Sequence, residues 1–198
     1  MEASTTAAAI VAGGRARRFA GQDKSRLVVE GRTIIVRQVE VLQRVAHPVF
    51  VVGHDPGRFA DLPLPVYADV VTGAGVMGGI YTALTVDGPD TVIVVGCDMP
   101  FLESGLLQGL VELSAGHDGA WVRTPRGVDP LLACYRRHAA PILRGEIDAG
   151  RLKATDLRSV LNMAEMSLAD VATYGPPERL LANLNSPDDY ARVQYGGS

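Results

Sequence analysis

Residues 7–25 read AAAIVAGGRARRFAGQDKS, a stretch that begins apolar and becomes strongly cationic. The run AAAIVA at 7–12 is typical of a strand that is buried on both faces of a sheet. Two glycines then turn the chain, and four cationic side chains precede Ser25: Arg15, Arg17, Arg18 and Lys24. A buried strand followed by a glycine turn is typical of an α/β domain. The positive charge in the turn predicts a negatively charged ligand.

Apolar runs of the same kind recur along the chain and alternate with segments of helical periodicity. We expect further strands at 48–53, 65–68, 91–96, 119–123 and 131–136. Helices are predicted at 33–46, 79–86 and 104–113, and Ser186 followed by Pro187 predicts the start of a last helix. The stretch 144–158 is predicted to be a charged, loop-rich connection. This alternation predicts a three-layer α/β/α, Rossmann-like fold with a mostly parallel central sheet.

Length and composition favour a single domain over residues 1–198. The chain has 198 residues, of which 47% are hydrophobic, and can therefore bury one sizeable core. Its net charge of −3 and pI of about 5.8 argue against a protein that binds nucleic acid or an anionic membrane. We find no apolar run of about 18 residues, no charged start of a signal peptide, and no metal-ligand spacing at Cys97 and Cys134. We therefore expect a cytoplasmic protein with reduced thiols.

The loop after the first strand does not match two common phosphate-binding motifs. A Walker A loop requires Gly-Lys-Ser/Thr, but two residues separate Gly21 from Lys24. A dinucleotide fingerprint opens directly into a helix, whereas the residues after the two glycines are too rich in turns and charges to start one. What remains is an unwound loop whose backbone N–H groups from Ala12 to Arg15 can reach a phosphate, or else a solvated basic loop without a ligand.

The use of lysine favours the ligand-binding interpretation. Lys24 and Lys153 are the only lysines among the nineteen lysine and arginine residues. A compact ammonium suits a phosphate oxygen that moves during a reaction, whereas arginine suits a fixed bidentate contact. Five cations fall within the twelve positions from Arg15 to Arg26. In an acidic protein, this local concentration of charge suits a polyphosphate.

Candidate acidic residues follow two other predicted strands. Asp98 comes shortly after TVIVVG at 91–96, and ligands bind outside the carboxyl ends of strands in open α/β sheets. If the Asp98 carboxylate faces the cationic loop, it predicts a Mg²⁺ site that substrate phosphates complete. The alternative is that Asp98 only caps the following turn. Asp69 is a second candidate, with an Asx-turn as its alternative. Four glycines can admit a flat ring or a sugar, or simply turn the chain into a helix: Gly73, Gly75, Gly78 and Gly79.

Four motifs together resemble one family. VAGGRARRFAGQDKS at 11–25 is similar to the LAGGxxxRMGxDK signature of the molybdenum cofactor guanylyltransferases, the molybdopterin-guanine dinucleotide biosynthesis protein A family of nucleotidyltransferases. Further similarities follow in the family's order, with GAGVMGGIYTAL at 73–84, VVGCDMPFL at 94–102 and NLNSPDDY at 183–190. The resemblance covers almost the whole chain and implies the α/β nucleotidyltransferase fold.

The resemblance also implies an activity, the transfer of GMP from GTP to the terminal phosphate of molybdopterin with release of pyrophosphate. Arg18 and Lys24 would neutralise the charge on the leaving pyrophosphate, and Asp98 would hold Mg²⁺. The implied contacts with the nucleotide are at Val11, Ala12, Gly13, Gly14, Lys24, Asp69, Gly78 and Asp98. Transient contact with molybdoenzymes or cofactor-insertion proteins is a further expectation.

Some positions depart from the family's pattern and leave alternatives open. Val76 and Met77 stand where the family usually has Pro-Leu, and Asp129 stands where many relatives carry His or Gln. A cytidylyl or sugar-phosphate nucleotidyltransferase of the same fold is therefore one alternative. A nucleotide-binding or cofactor-binding protein without catalysis is another.

Overall fold

A computed structural model of the chain describes residues 5–12, 24–53 and 55–195. The strands in these ranges are β1 (Thr6–Val11), β2 (Val28–Val29), β3 (Arg32–Thr33), β4 (Val49–Val52), β5 (Val66–Tyr67), β6 (Thr91–Gly96), β7 (Gly119–Thr124), β8 (Gly127–Arg136) and β9 (Met163–Met166). The α-helices are α1 (Ile34–Leu42), α2 (Gly75–Thr85), α3 (Ser104–Leu113), α4 (Ala140–Asp148), α5 (Leu168–Val171), α6 (Pro177–Leu180) and α7 (Pro187–Tyr195). Short 3₁₀ helices lie at Lys24–Arg26, Pro56–Phe59, Arg137–Ala139 and Ala154–Ser159.

Seven strands form the main sheet, in the order β5-β4-β1-β6-β8-β7-β9. β8 is antiparallel to both of its neighbours, and every other adjacent pair in the sheet is parallel. β2 and β3 form a separate antiparallel pair. The predicted mostly parallel sheet is confirmed, because only β8 runs against the common direction.

Helices cover both faces of this sheet. Ile35 of α1 and Leu106 of α3 belong to one cluster of buried side chains. Ile80 of α2 and Leu143 of α4 belong to a second. Alternate residues of β1 enter the two clusters, as the two-residue period of a strand requires. The three-layer α/β/α architecture is therefore confirmed, and no helix in the described ranges is long and apolar enough to span a lipid bilayer.

The six predicted strands are all present, and the helix predicted at 104–113 is found at the same residues. β8 starts at Gly127, four residues before the prediction, because its first residues pair with the end of β7 in a tight hairpin. α2 starts at Gly75 rather than at 79, because Gly78 and Gly79 lie inside the helix, buried against their neighbours. β9 was not predicted, since its four residues are too few to show a period.

The prediction of a loop-rich connection at 144–158 is wrong. The segment contains most of α4 and a 3₁₀ helix. Buried Leu143, Ile147 and Leu157 hold this segment against the sheet, and these apolar contacts outweigh the charged residues that lie between them. Gly150 follows α4 with φ of +73°, a backbone conformation that favours glycine after a helix.

Candidate active site

The site begins where β1 and β6 end side by side. Val11 pairs with Gly96 in the parallel register, and the Cys97 amide donates to the Val11 carbonyl at 3.3 Å. Because parallel strands share one carboxyl edge, the loop after β1 and the turn that carries Asp98 leave the sheet together. The last residue of β1 therefore lies beside the start of the turn that carries Asp98.

The structure describes only part of the first loop. Val11 and Ala12 are buried, with 2% and 5% of their surfaces exposed. The Ala12 amide donates to the Val52 carbonyl at 2.8 Å, which continues the parallel hydrogen bonding between β1 and β4. The expectation that this amide faces a phosphate is therefore not met. The other predicted residues of this loop lie outside the described ranges: Gly13, Gly14, Arg15, Arg17 and Arg18.

Lys24 opens a 3₁₀ helix and contacts the tripeptide 183–185, which also contacts the Asp98 backbone. Its Nζ atom donates to Asn185 Oδ1 at 3.0 Å. Its charge also acts on Asp98, where it opposes the rise in the pKa of that carboxyl. The structure thus brings together the lysine and the carboxylate that sequence analysis selected 74 positions apart (98 − 24).

Arg26 was included in the predicted cationic cluster, but it has other partners. Its guanidinium donates to Asp61 Oδ2 at 2.7 Å and to the Arg58 carbonyl at 2.8 Å. The hydrogen bond from Arg26 lowers the pKa of the Asp61 carboxyl. Arg26 therefore belongs to an ion pair with Asp61, and this contact secures the segment that follows Lys24.

Asp98 is a half-buried carboxylate with neighbours of both signs. Burial raises the pKa of Asp98, the Lys24 charge lowers it, and the Asp129 carboxylate raises it again. Its Oδ1 atom lies so close to Gly96 that a Cβ at position 96 would be 2.9 Å from it. Gly96 therefore makes room for the carboxylate. A half-buried acid near a second acid is an environment that favours a bound cation.

Asp129 reaches this site through an irregularity in β8. The β7–β8 register shifts between Trp121 and Val122, so that Trp121 pairs with Ala133 and Val122 with Asp129. Such bulges re-aim side chains beside functional sites. Burial raises the pKa of Asp129, while hydrogen bonds from the Leu131 amide (3.0 Å) and from the Asn183 side chain lower it. In the sequence, Asp129 stands out only as a departure from the family's pattern.

The tripeptide 183–185 contacts three parts of the site. The Leu184 amide donates to the Asp98 carbonyl at 3.0 Å. Asn183 contacts Asp129, and Asn185 accepts the hydrogen bond from Lys24. Sequence analysis did not select the two asparagines as site residues, although the NLNSPDDY motif contains both. The same motif predicts a helix start at Ser186, and only that feature was recognised from the sequence.

The helix start predicted at Ser186 is confirmed and holds this tripeptide in place. α7 begins at Pro187, and the Asp189 amide donates to Ser186 Oγ at 3.2 Å. Asp189 Oδ2 in turn accepts from the Asn185 and Ser186 amides at 3.0 and 2.8 Å. This reciprocal capping fixes the backbone just after the two asparagines.

A cleft of about 970 Å³ adjoins the site. It lies between the β7–β8 turn and the segment from 177 to 193, and its lining includes Asp129, Asn183 and Asn185. Its other lining residues include apolar, cationic and acidic side chains: Phe101, Val128, Leu181, Val193, Arg126, Arg179, Arg192, Glu178 and Asp189. A ligand in this cleft would contact the asparagine that holds Lys24.

Asp69 and Gly78 form a second unit, around the amino end of α2. Asp69 is half-buried after β5, and the next amide, of Val70, donates to Thr82 Oγ1 at 2.9 Å. A Cβ at Gly78 would lie 3.0 Å from the Val71 carbonyl oxygen. Gly78 therefore lets the segment after Asp69 pack closely on α2. The binding of a nucleotide by these two residues stays a prediction.

The donor set at Asp98 fits a hard cation that brings further oxygen ligands of its own. Within the described ranges, no group of three or more His, Cys, Asp or Glu side chains could hold a metal ion. Asp98, with Asp129 near it, offers carboxylate oxygens, which Mg²⁺ prefers. Mg²⁺ commonly binds through one or two carboxylates and completes its shell with waters and substrate phosphates.

Comparison with known proteins gives consistent results. A family model described as the MobA-like NTP transferase domain matches residues 8–171. A protein of Chloroflexus aggregans, named "Probable molybdenum cofactor guanylyltransferase", is 35% identical over 93% of this chain and 91% of its own length. A protein of the same name from Pelotomaculum thermopropionicum is 30% identical over 93% of this chain and 90% of its own.

Solved structures agree on the fold. The crystal structure of molybdopterin-guanine dinucleotide biosynthesis protein A from Archaeoglobus fulgidus is similar, with a TM-score of 0.81 and 26% identity. The match covers 95% of this chain and 96% of that one. A nucleotidyl transferase from Methanothermobacter thermautotroptrophicus, at 19% identity and a TM-score of 0.69, has the same fold. Its match covers 96% of this chain and 95% of that one.

Proposed function

The chain belongs to the MobA-like NTP transferase family of nucleotidyltransferase enzymes, and we propose that it transfers GMP from GTP to the terminal phosphate of molybdopterin. The curated relatives that it resembles carry the name molybdenum cofactor guanylyltransferase. The observation that carries the proposal is that Lys24 and the Asp98 backbone both contact the tripeptide 183–185, which also lines the cleft. This arrangement joins a site for phosphates to a separate space for an acceptor.

The proposed reaction breaks one phosphoric anhydride bond and forms another. An oxygen of the acceptor's terminal phosphate attacks the α-phosphorus of GTP, and the bond from that phosphorus to the β-phosphate oxygen breaks. Pyrophosphate leaves with the electron pair. The acceptor phosphate is already an anion near neutral pH, so that no general base has to remove a proton. The protein then has to align the two phosphates and to neutralise charge.

Each residue of the site has a distinct part in this proposal. The Lys24 ammonium neutralises charge on the leaving pyrophosphate. Asp98 would hold Mg²⁺ together with phosphate oxygens, and the metal would supply positive charge at the α-phosphate. Arg18, Gly13 and Gly14 keep the roles predicted from the sequence, in the segment outside the described ranges. The contacts of Val11, Asp69 and Gly78 with the nucleotide are also part of the proposal.

The cleft suits molybdopterin as the acceptor. Leu181 and Val193 offer apolar surface for a flat pterin ring, and the amide of Asn183 can pair with ring nitrogen and oxygen atoms. Arg126 adds positive charge for an anionic ligand, whereas the charge of Arg192 is partly offset by Asp189 at 3.8 Å. Because Asn185 belongs both to the cleft and to the contact with Lys24, an acceptor phosphate at this end of the cleft lies next to the proposed nucleotide site.

Pyrophosphate release tests the proposal. The purified protein is mixed with molybdopterin, Mg²⁺ and either GTP, CTP or ATP, and pyrophosphate is measured. We expect release with GTP and the appearance of a guanine dinucleotide product. Faster release with CTP would replace the guanylyl assignment by a cytidylyl one. Binding of GTP and molybdopterin without release would instead indicate a carrier protein.

A further inference from the structure

Gln38 of α1 is a buried polar residue that contacts the Asp98 turn. Only 1% of its surface is exposed. Its Nε2 atom donates to the Gly96 carbonyl at 2.7 Å and to the Met99 carbonyl at 3.0 Å. Both partners are acceptors, so the nitrogen of the amide must face them. One side chain therefore spans the turn that carries Asp98, with a hydrogen bond on either side of it.

The other carbonyls of this turn are also held from outside it. The Asp98 carbonyl accepts from the Leu184 amide at 3.0 Å. Arg37, which precedes Gln38 in α1, donates from Nε to the Pro100 carbonyl at 2.9 Å. Four carbonyls between Gly96 and Pro100 thus have fixed partners, and adjacent residues of α1 supply three of the four hydrogen bonds. A turn held in this way has little freedom to move its carboxylate.

The burial of Gln38 costs free energy of folding, because one polar atom of its side chain is unpaired. Among the described residues, its Oε1 atom is buried and has no hydrogen-bond partner. A leucine or methionine at this position would fill the space without that unpaired acceptor, so burial alone does not account for a glutamine. The two donated hydrogen bonds account for it, and their effect is on the Asp98 turn.

The helix that carries Gln38 is also tied to Lys24. The Leu27 amide donates to the Lys24 carbonyl at 3.1 Å, and the Ile34 amide donates to the Leu27 carbonyl at 3.0 Å. α1 starts at Ile34, one turn before Gln38. The segment from Lys24 to Gln38 therefore connects the cation of the site with the turn that bears its carboxylate.

We propose that Gln38 is a positioning residue, which fixes the Asp98 turn so that the carboxylate faces Lys24 and can hold a divalent cation. This inference rests on the proposed function, because the cation is the one that accompanies the nucleotide. Gln38 acts through the backbone of the turn and touches neither substrate nor metal. Loss of such an outer contact typically weakens metal binding by about tenfold to a hundredfold.

Binding of Mn²⁺ tests the proposal without a need for turnover. Mn²⁺ is titrated, with detection by electron paramagnetic resonance, into the protein saturated with a GTP analogue whose α,β bridge is a methylene group. We expect Gln38→Leu to raise the dissociation constant for Mn²⁺ by about tenfold or more. The affinity for the analogue without metal should be unchanged. Gln38→Met has an unbranched side chain of similar length. The same titration is carried out on this second variant if the leucine variant does not fold.

Ser114→Ala is the matched control. Ser114 is also fully buried and donates to the Val111 carbonyl at 2.6 Å, but it lies after α3 and away from the turn. We expect this variant to retain wild-type affinity for Mn²⁺ although it also loses a buried hydrogen bond. Unchanged Mn²⁺ affinity in the folded Gln38 variants overturns the inference alone. A wild-type protein that binds no Mn²⁺ with the analogue overturns the proposed metal role and the inference together.

Discussion

Lys24 and Asn185 are separated by 161 positions in the chain, and the lysine Nζ donates to the asparagine Oδ1 at 3.0 Å. This contact brings the segment after the first loop against the tripeptide that precedes α7. The same tripeptide also holds the Asp98 carbonyl through the Leu184 amide. The cation and the carboxylate of the proposed site therefore share a support that is distant from both in sequence.

Removing the Lys24 ammonium should slow the reaction without unfolding the protein. A hydrogen bond from a charged group contributes about 1.5–3 kcal/mol, so that Lys24→Ala should lower kcat with GTP by about tenfold to a hundredfold. Lys153→Ala is the matched control, because the only other lysine pairs at the surface with Asp156 at 3.3 Å. Equal rates for the two variants would remove Lys24 from the mechanism.

Gly96→Ala should disturb the Asp98 carboxylate specifically. The new Cβ would lie 2.9 Å from Asp98 Oδ1, and the carboxylate, as the end of a flexible side chain, would have to move. We expect the Mg²⁺ concentration at half-maximal rate to rise by about tenfold, with a small change in the thermal midpoint. A variant with wild-type Mg²⁺ dependence would show that the position of this carboxylate does not matter for the metal.

Asp129→Asn should stabilise the nucleotide-free protein, and more so at higher pH. Burial raises the pKa of Asp129 above its ordinary value of 3.8. The folded state therefore binds a proton more readily than the unfolded chain, and ionisation lowers the stability of the wild type as pH rises through this window. Asparagine has no charge to bury. The difference in thermal midpoint should grow from acid to neutral pH, and a constant difference would contradict the assignment.

Gly79→Ala should destabilise the fold around the end of β1. Its Cβ would lie 2.5 Å from Val11 Cγ1, and both residues are buried. Overpacking of this kind costs about 1–3 kcal/mol, which chemical denaturation can measure. Gly145→Ala in α4 is the control, because its Cβ would have no neighbour within 4 Å and alanine favours a helix by up to about 1 kcal/mol. The two substitutions should thus change the free energy of unfolding in opposite directions.

The central strands could be predicted because their sequences are continuous apolar runs. All six residues of β1 and of β6 are buried, which removes the ambiguity that a half-exposed strand would have. β9 alternates in burial over only four residues, too short a pattern to detect. The segment at 144–158 was misassigned because charged residues surround the few apolar side chains that secure it.

The site could be predicted only in part, because some of its contacts join residues that are far apart in the sequence. Lys24 and Asp98 each follow a recognisable strand or loop signal, and the structure brings them together. Gln38 and Asn185 act through contacts over 58 and 161 positions, which no spacing rule detects. One signal was available for Gln38: it shares the buried face of α1 with Ile34 and Leu42, where an amide is out of place. A polar residue in an apolar stripe is the pattern to search for.

The support of the site by residues 183–185 also has a consequence for protein synthesis. Translation adds Asn185 87 residues after Asp98 and 161 after Lys24 (185 − 98 and 185 − 24). A nascent chain that has already folded β1 and β6 still lacks the partner of Lys24 and the amide that holds the Asp98 carbonyl. Ribosome-bound intermediates that lack residues 183–185 should therefore bind nucleotide weakly, and competence for catalysis is gained only after this tripeptide has been added.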